Sequence, residues 1–120
     1  MESDPNLRMD NPLVSIVVPA YNEEKEIQNA LSEMKKQTYP NTEVIVVDDG
    51  STDKTFEVAK KSGNSIKNFL IVKIDHAGPS ASRNAGVKHS NGDIVSTKIK
   101  ISTPINAMTE LKSITGPGNL

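Results

Sequence analysis

The chain predicts an α/β fold, a parallel sheet with helices on its faces, and three observations carry that expectation. Short apolar, β-branched runs alternate with segments whose apolar residues recur at helical spacing. The runs lack the in–out alternation of a half-exposed strand, so each suits a strand covered on both faces, as parallel strands are. Each run ends near Pro, Asn, Asp or Gly, where a chain can turn. Such alternation implies parallel strands joined by right-handed crossovers.

The first twelve residues, Met1 to Pro12, are polar and hold two prolines, which predicts a disordered lead-in over residues 1–12. Val14-Ser15-Ile16-Val17-Val18, stopped by Pro19, is the first strand. Glu23 to Lys36 reads as a helix, because Ile27, Ala30, Leu31 and Met34 fall on one face, with Asn22 as its N-cap. Tyr39-Pro40-Asn41 turns the chain into a second strand, Glu43 to Val47. Thr52 or Asp53 can cap a helix over Lys54 to Ser62 that buries Phe56, Val58 and Ala59, and Gly63-Asn64 suits its end. Phe69 to Ile74 is the third strand, and Ser80 to Lys88 the third helix. A fourth strand starts at Asp93 to Val95. Beyond Val95 the chain turns Ser- and Thr-rich, with a weak helix expected around Asn106 to Ile114.

Composition narrows the function. At 120 residues the chain has room for one small domain. Only four residues are aromatic, Tyr21, Tyr39, Phe56 and Phe69, so aliphatic side chains must fill the core. Without cysteine there is neither a disulfide framework nor a thiolate metal site. Fourteen basic residues against fifteen acidic ones argue against a nucleic-acid surface. No run approaches the ~20 apolar residues of a membrane span, and no leader pattern is seen. The expected location is therefore the cytoplasm or the cytoplasmic face of a membrane.

In open parallel sheets, ligands bind beyond the carboxyl ends of the strands. Three segments meet that rule: Pro19-Ala20-Tyr21-Asn22-Glu23, Asp48-Asp49-Gly50-Ser51-Thr52-Asp53, and Asp75-His76 with Gly78 to Gly86. Each also has a purely structural reading. Asp48 and Asp49 can satisfy turn donors, and Ser51 to Asp53 can cap a helix. Two adjacent carboxylates, however, resist ionising together unless donors or a cation face them, and one can accept from a nucleobase N–H. Tyr21 can stack on a base or cover the sheet edge. Arg83 can be a solvated helix cation or a bidentate phosphate contact. His76 and His89 lack metal-ligand spacing and read as ordinary loop or surface residues. No G-x-G-x-x-G, P-loop or G-x-S-x-G motif is found.

Together these segments resemble the nucleotide-sugar-dependent family-2 glycosyltransferases. Val14 to Glu24, Gln37 to Asp53, Gly78 to Gly86 and Asn91 to Val95 follow that family's blocks in order and spacing. The resemblance implies a Rossmann-like GT-A fold, of which residues 13–95 would form the nucleotide-sugar-binding part, a truncated half-domain. It implies that Pro19, Ala20, Tyr21 and Glu23 line a nucleoside pocket. Asp49 would bond the base, uracil or guanine, supported by Asp48, and Arg83 and Asn84 would lie near the ribose and phosphates. The implied donor is a UDP- or GDP-type sugar, and the implied reaction an inverting sugar transfer, assisted in the family by Mg2+ or Mn2+. Competing readings are a non-catalytic nucleotide-binding module dependent on a complementing chain, and a receiver-like phosphoacceptor. The receiver reading ranks last, since receivers carry their acidic pair after the first strand and here it follows the second.

The chain departs from the family after Val95. Where an Asp-x-Asp metal motif is expected it reads Ser96-Thr97-Lys98-Ile99-Lys100-Ile101. Two lysines would repel a cation, so no metal is expected to bind this chain alone, and no catalytic base is assigned. Residues 96–120 form an atypical tail, for which a frameshift is one hypothesis. Lysine codons end in A or G and isoleucine codons begin with AT, so a frame shifted back one base reads Asn or Asp at each Lys–Ile junction. Sequencing the gene tests this: the alternative frame should hold an Asp-x-Asp motif and a continuing domain, and its absence there would sink the idea.

Overall fold

The structure, a computed structural model, describes residues 11–36 and 39–97 and the backbone of 109–111. The order is β1 (Val14–Ala20), α1 (Ile27–Met34), β2 (Thr42–Asp48), α2 (Thr55–Gly63), β3 (Phe69–Lys73), α3 (Pro79–Lys88), β4 (Ile94–Thr97) and β5 (Thr109–Leu111). The strands form one sheet in the order β3-β2-β1-β4-β5. The first four run parallel, with Val17 opposite both Ile45 and Thr97. β5 lies antiparallel on β4, pairing Ser96 with Glu110.

The β-branched runs occupy the middle of this sheet because both faces are covered. Ile16, Val18, Ala20, Val44 and Val46 pack under α1 and α2 with Ile27, Leu31, Met34 and Ala59. Val17, Ile45, Val47 and Val95 form the opposite core, with Ala85 and Val87 of α3 against it. α3 comes close enough that a Cβ on Gly86 would sit 2.3 Å from Val17 Cγ1. Covered faces leave the ligand-accessible surface at the strand ends. The order reverses at β1, where β2 lies on one side and β4 on the other. That is the topological switch point at which open α/β sheets bind ligands.

Several local expectations are corrected. α1 starts at Ile27, not Glu23, because Asn22 has φ +51 and its amide oxygen serves another loop. It accepts from Thr52 N–H at 2.8 Å and Asp53 N–H at 3.3 Å. α2 spans Thr55–Gly63, and Asp53 Oδ1 accepts from Thr55 N–H at 2.9 Å just ahead of it. Phe56 and Val58 are half-buried, while Thr55 and Ala59 are buried. Gly63 is the last helical residue and lies buried under the Phe69 ring rather than in a left-handed cap. β4, expected to start at Asp93 to Val95, spans Ile94–Thr97. Within the expected weak helix over 106–114, residues 109–111 are a strand instead, since the backbone of β4 offers a ladder to pair with. Of the lead-in, residues 1–10 lie outside the described residues, as do 98–108 and 112–120 of the tail. Asn11 is tied down, its carbonyl accepting from Asn41 Nδ2 at 3.0 Å.

Burial pushes the Asp53 carboxyl up, but hydrogen bonds from the Thr55 hydroxyl and N–H and from Glu24 N–H outweigh it and hold the group below its ordinary 3.8. A depressed folded value stabilises the fold above the unfolded value and loses that contribution as pH falls through the folded one. Asp53→Asn should therefore flatten the loss of stability below about pH 4, read by urea unfolding across an acid series. In the same assay Leu31→Ala, at a fully buried site, should cost about 2–5 kcal/mol. Leu70→Ala, at a 41% exposed site, should cost about 0.5 kcal/mol or less.

Candidate functional site

The three loops beyond the carboxyl ends of β1, β2 and β3 are sewn together by hydrogen bonds between their polar residues. The first two meet in both directions. Asn22 N–H donates to Ser51 Oγ at 2.9 Å, and Glu23 N–H to Thr55 Oγ1 at 2.7 Å. Lys54 N–H returns to Glu24 Oε1 at 2.8 Å. The main chains also touch, Asp49 N–H donating to the Ala20 carbonyl at 2.9 Å. So the Ser, Thr and Asp residues that could have been simple helix caps bind one loop to the other.

The third loop hangs on Asp49. The residue is 4% exposed, and its carboxylate accepts from Ala77 N–H at Oδ1 (2.8 Å) and from Gly78 N–H at Oδ2 (3.1 Å). His76 Nδ1 lies 2.9 Å from Oδ2 and 3.1 Å from the Asp49 carbonyl oxygen. Both neighbours only accept, so the ring proton belongs on Nδ1. Gly50, at φ +70, makes the approach possible, for a Cβ there would stand 2.6 Å from His76 N. The His76 ring stacks on Tyr21, with centroids 4.2 Å apart and planes 20° from parallel.

Between these loops lies an open pocket of about 240 Å3, lined by Pro19, Ala20, Tyr21, Glu23, Asp49, His76, Gly78, Pro79 and Ser82. Five residues singled out from the sequence are thus brought together: Pro19, Ala20, Tyr21, Glu23 and Asp49. The other three are not among its walls. Asp48 is fully buried behind it, and its Oδ1 accepts from the Ser51 hydroxyl rather than touching Asp49. Arg83 and Asn84 are exposed on α3, next to Ser82 in sequence, with Arg83 Nη2 3.4 Å from Ser80 Oγ. His89 fits its ordinary reading, its Nδ1 being bonded to the Ala85 carbonyl at the end of α3.

Four wall residues, His76, Gly78, Pro79 and Ser82, are not among the eight site residues singled out from the sequence. His76 lacks a metal-ligand spacing, yet it follows β3 as Asp49 follows β2, and the strand-end rule covers both. Ser82, buried, donates to the Gly78 carbonyl at 3.2 Å, and the sequence marks it only as part of the Gly78 to Gly86 segment. Among the described residues, two buried polar atoms have no hydrogen-bond partner, Asp48 Oδ2 and Thr97 Oγ1.

Chemically, the pocket offers an apolar wall, an aromatic face, a buried acceptor and the amino end of a helix. It does not fit a divalent cation. Such an ion takes several oxygen or nitrogen ligands, and among the described residues no three His, Cys, Asp or Glu side chains group together. The sequence after β4 supplies Lys98 and Lys100. No helix of the described residues is long and apolar enough to cross a membrane.

Known proteins are similar to this chain in sequence and in fold. Glycosyltransferase AglE of Haloferax volcanii is 39% identical over 87 residues, which is 70% of this chain and 29% of that protein. Staphylococcus aureus TarS, solved in complex with UDP-GlcNAc, superposes with a TM-score of 0.66 at 36% identity, covering 72% of this chain and 26% of that one. The mannosyltransferase PcManGT of Pyrobaculum calidifontis, solved with GDP-Man and Mn2+, gives 0.66 at 28% identity, covering 75% and 28%. The chain thus spans less than a third of each. The α/β sheet expected from the sequence is a GT-A-like half-domain of this kind. The family profile described as glycosyl transferase family 2 matches residues 15–97, from β1 to the end of β4 and so including every strand end that shapes the pocket, and the chain belongs to that family.

Proposed function

We propose that this chain is the nucleotide-sugar-binding part of an inverting glycosyltransferase, with little or no transfer activity on its own. The observation that carries the reading is the pocket. It joins a buried carboxylate acceptor and an aromatic ring at the switch point of a parallel sheet. A nucleobase needs both, a flat face to stack on and an acceptor for its ring N–H. Pro19, Ala20 and Tyr21 supply the apolar wall and the stacking face, and Glu23 closes the rim. Asp49 takes the base N–H. Asp48 supports it from behind by fixing Ser51 and so the loop that follows Asp49.

The amino end of α3 opens on the same pocket through Gly78, Pro79 and Ser82. The positive end of the helix dipole there favours a diphosphate. Arg83 and Asn84 project from that helix toward solvent and serve the ribose and phosphates. TarS has been solved with UDP-GlcNAc and PcManGT with GDP-Man, so a UDP- or GDP-type sugar is the donor class.

PcManGT was solved with Mn2+, and Mg2+ or Mn2+ is the ion expected for full-length members of the family. Such an ion would neutralise charge on a leaving diphosphate. The residues here do not hold it, and no step is assigned to it in this chain. Lys98 and Lys100, standing where the acidic pair is expected, also favour a second reading, a nucleotide-binding module that works with a complementing chain. Neither reading involves nucleic acid.

Calorimetric titration of the 120-residue chain with nucleoside diphosphates tests the proposal. UDP or GDP should bind, and Tyr21→Ala and Asp49→Ala should each weaken binding. For Asp49 the loss should be about tenfold or more, the worth of a hydrogen bond to a charged group. Circular dichroism separates lost binding from lost folding. Sugar transfer by the isolated chain, dependent on Mn2+ and lost in Asp49→Ala, would overturn the claim of inactivity.

A further inference from the structure

The hydrogen bonds around Asp49 limit what kind of base it can take. A carboxylate offers about four acceptor positions, two on each oxygen. Oδ2 meets two donors, Gly78 N–H at 3.1 Å and His76 Nδ1 at 2.9 Å. Oδ1 meets one, Ala77 N–H at 2.8 Å. One acceptor position is left, on Oδ1. The two ring nitrogens of His76 point in widely divergent directions, so Nε2 cannot stand beside Oδ1 as a second acceptor.

Nucleobases differ in what they present at this edge. Uracil offers one ring N–H flanked by two carbonyl oxygens. Guanine offers a ring N–H beside an exocyclic amino group, two parallel donors that a free carboxylate takes with both oxygens. Cytosine and adenine place a ring-nitrogen lone pair beside their amino group, which a carboxylate repels. A carboxylate with one open position satisfies uracil and leaves one guanine donor without a partner on Asp49, a mismatch that hydrogen-bonding sites discriminate against.

We infer that His76 is a specificity-determining residue: by occupying Oδ2 it leaves Asp49 a single acceptor, and so selects a uracil-type base over guanine. The stack on Tyr21 holds the imidazole in the orientation this needs. The other two donors, Ala77 and Gly78, are main-chain N–H groups that side-chain substitutions short of proline leave in place, so His76 is the adjustable side chain of the set. The inference rests on the reading of the pocket as a nucleoside site.

The experiment is calorimetric titration of the full 120-residue chain with UDP and with GDP, in the wild type and three variants. The wild type should prefer UDP by about tenfold or more, the cost of one unsatisfied donor. His76→Phe keeps a ring to stack on Tyr21 but frees Oδ2, and the preference should shrink severalfold through a gain in GDP binding. His76→Asn places its amide N–H where Nδ1 stood and should retain the preference. His76→Ala repeats the Phe test without the ring, should Phe disturb folding. Equal binding of UDP and GDP by the wild type overturns the inference while leaving the nucleotide pocket intact. So does an unchanged ratio in folded His76→Phe or His76→Ala. Failure of the wild type to bind either nucleotide removes the pocket reading and this inference together.

Discussion

A single buried carboxylate holds the working end of this fold together. Asp49 sits at the end of a central strand, 4% exposed, and three donors from the loop after β3 converge on it. Burying a charge costs several kcal/mol unless hydrogen bonds replace its water. Here two of the donors are main-chain N–H groups, which have no rotamers to lose. The charge is therefore satisfied only if the loop is in place, and the loop is in place only if the charge is there. Gly50 permits this closure, because any side chain would collide with the main chain of His76.

That constraint reaches the neighbouring loop through a second set of bonds. Asn22 commits its side-chain oxygen to Thr52 and Asp53 instead of to its own helix. The cost is a shorter α1 and a left-handed backbone at Asn22, where asparagine is among the more tolerant residues. What the molecule gains is a rigid join between the ends of β1 and β2, so Tyr21 and Asp49 face one pocket from two different strands. A binding site assembled from loops is only as well defined as the bonds between those loops. In this chain the side chains of Asn22, Glu24, Asp49, Ser51, Asp53 and His76 each contribute one.

Much of the architecture was legible. Uniformly β-branched runs need no partner to be recognised: the Val14–Val18 and Val44–Val47 segments have too few polar residues for one exposed face, and both faces are in fact covered. The spacing of Ile27, Ala30, Leu31 and Met34 located the buried stripe of α1, since helical periodicity is a local property. The start of that helix was not legible, because it depends on where the Asn22 amide bonds, thirty residues away. Gly63 illustrates the same limit. A glycine at a helix end suggests a left-handed cap, yet here it makes room for the Phe69 ring.

The sequence alone determined the alternation of strands and helices, the strand-end position of the acidic pair, and the family. These follow from hydrophobic period and from residue types at fixed spacing, which neighbours in the chain decide. Only the tertiary structure decided which of the two adjacent aspartates faces the pocket. Side chains alternate across a strand, so Asp48 is driven into the interior while Asp49 turns toward the loops. It also decided that His76, inconspicuous in sequence, joins Asp49 and Tyr21. That contact spans 27 residues from Asp49, and only the pairing of β2 with β3 brings the two together.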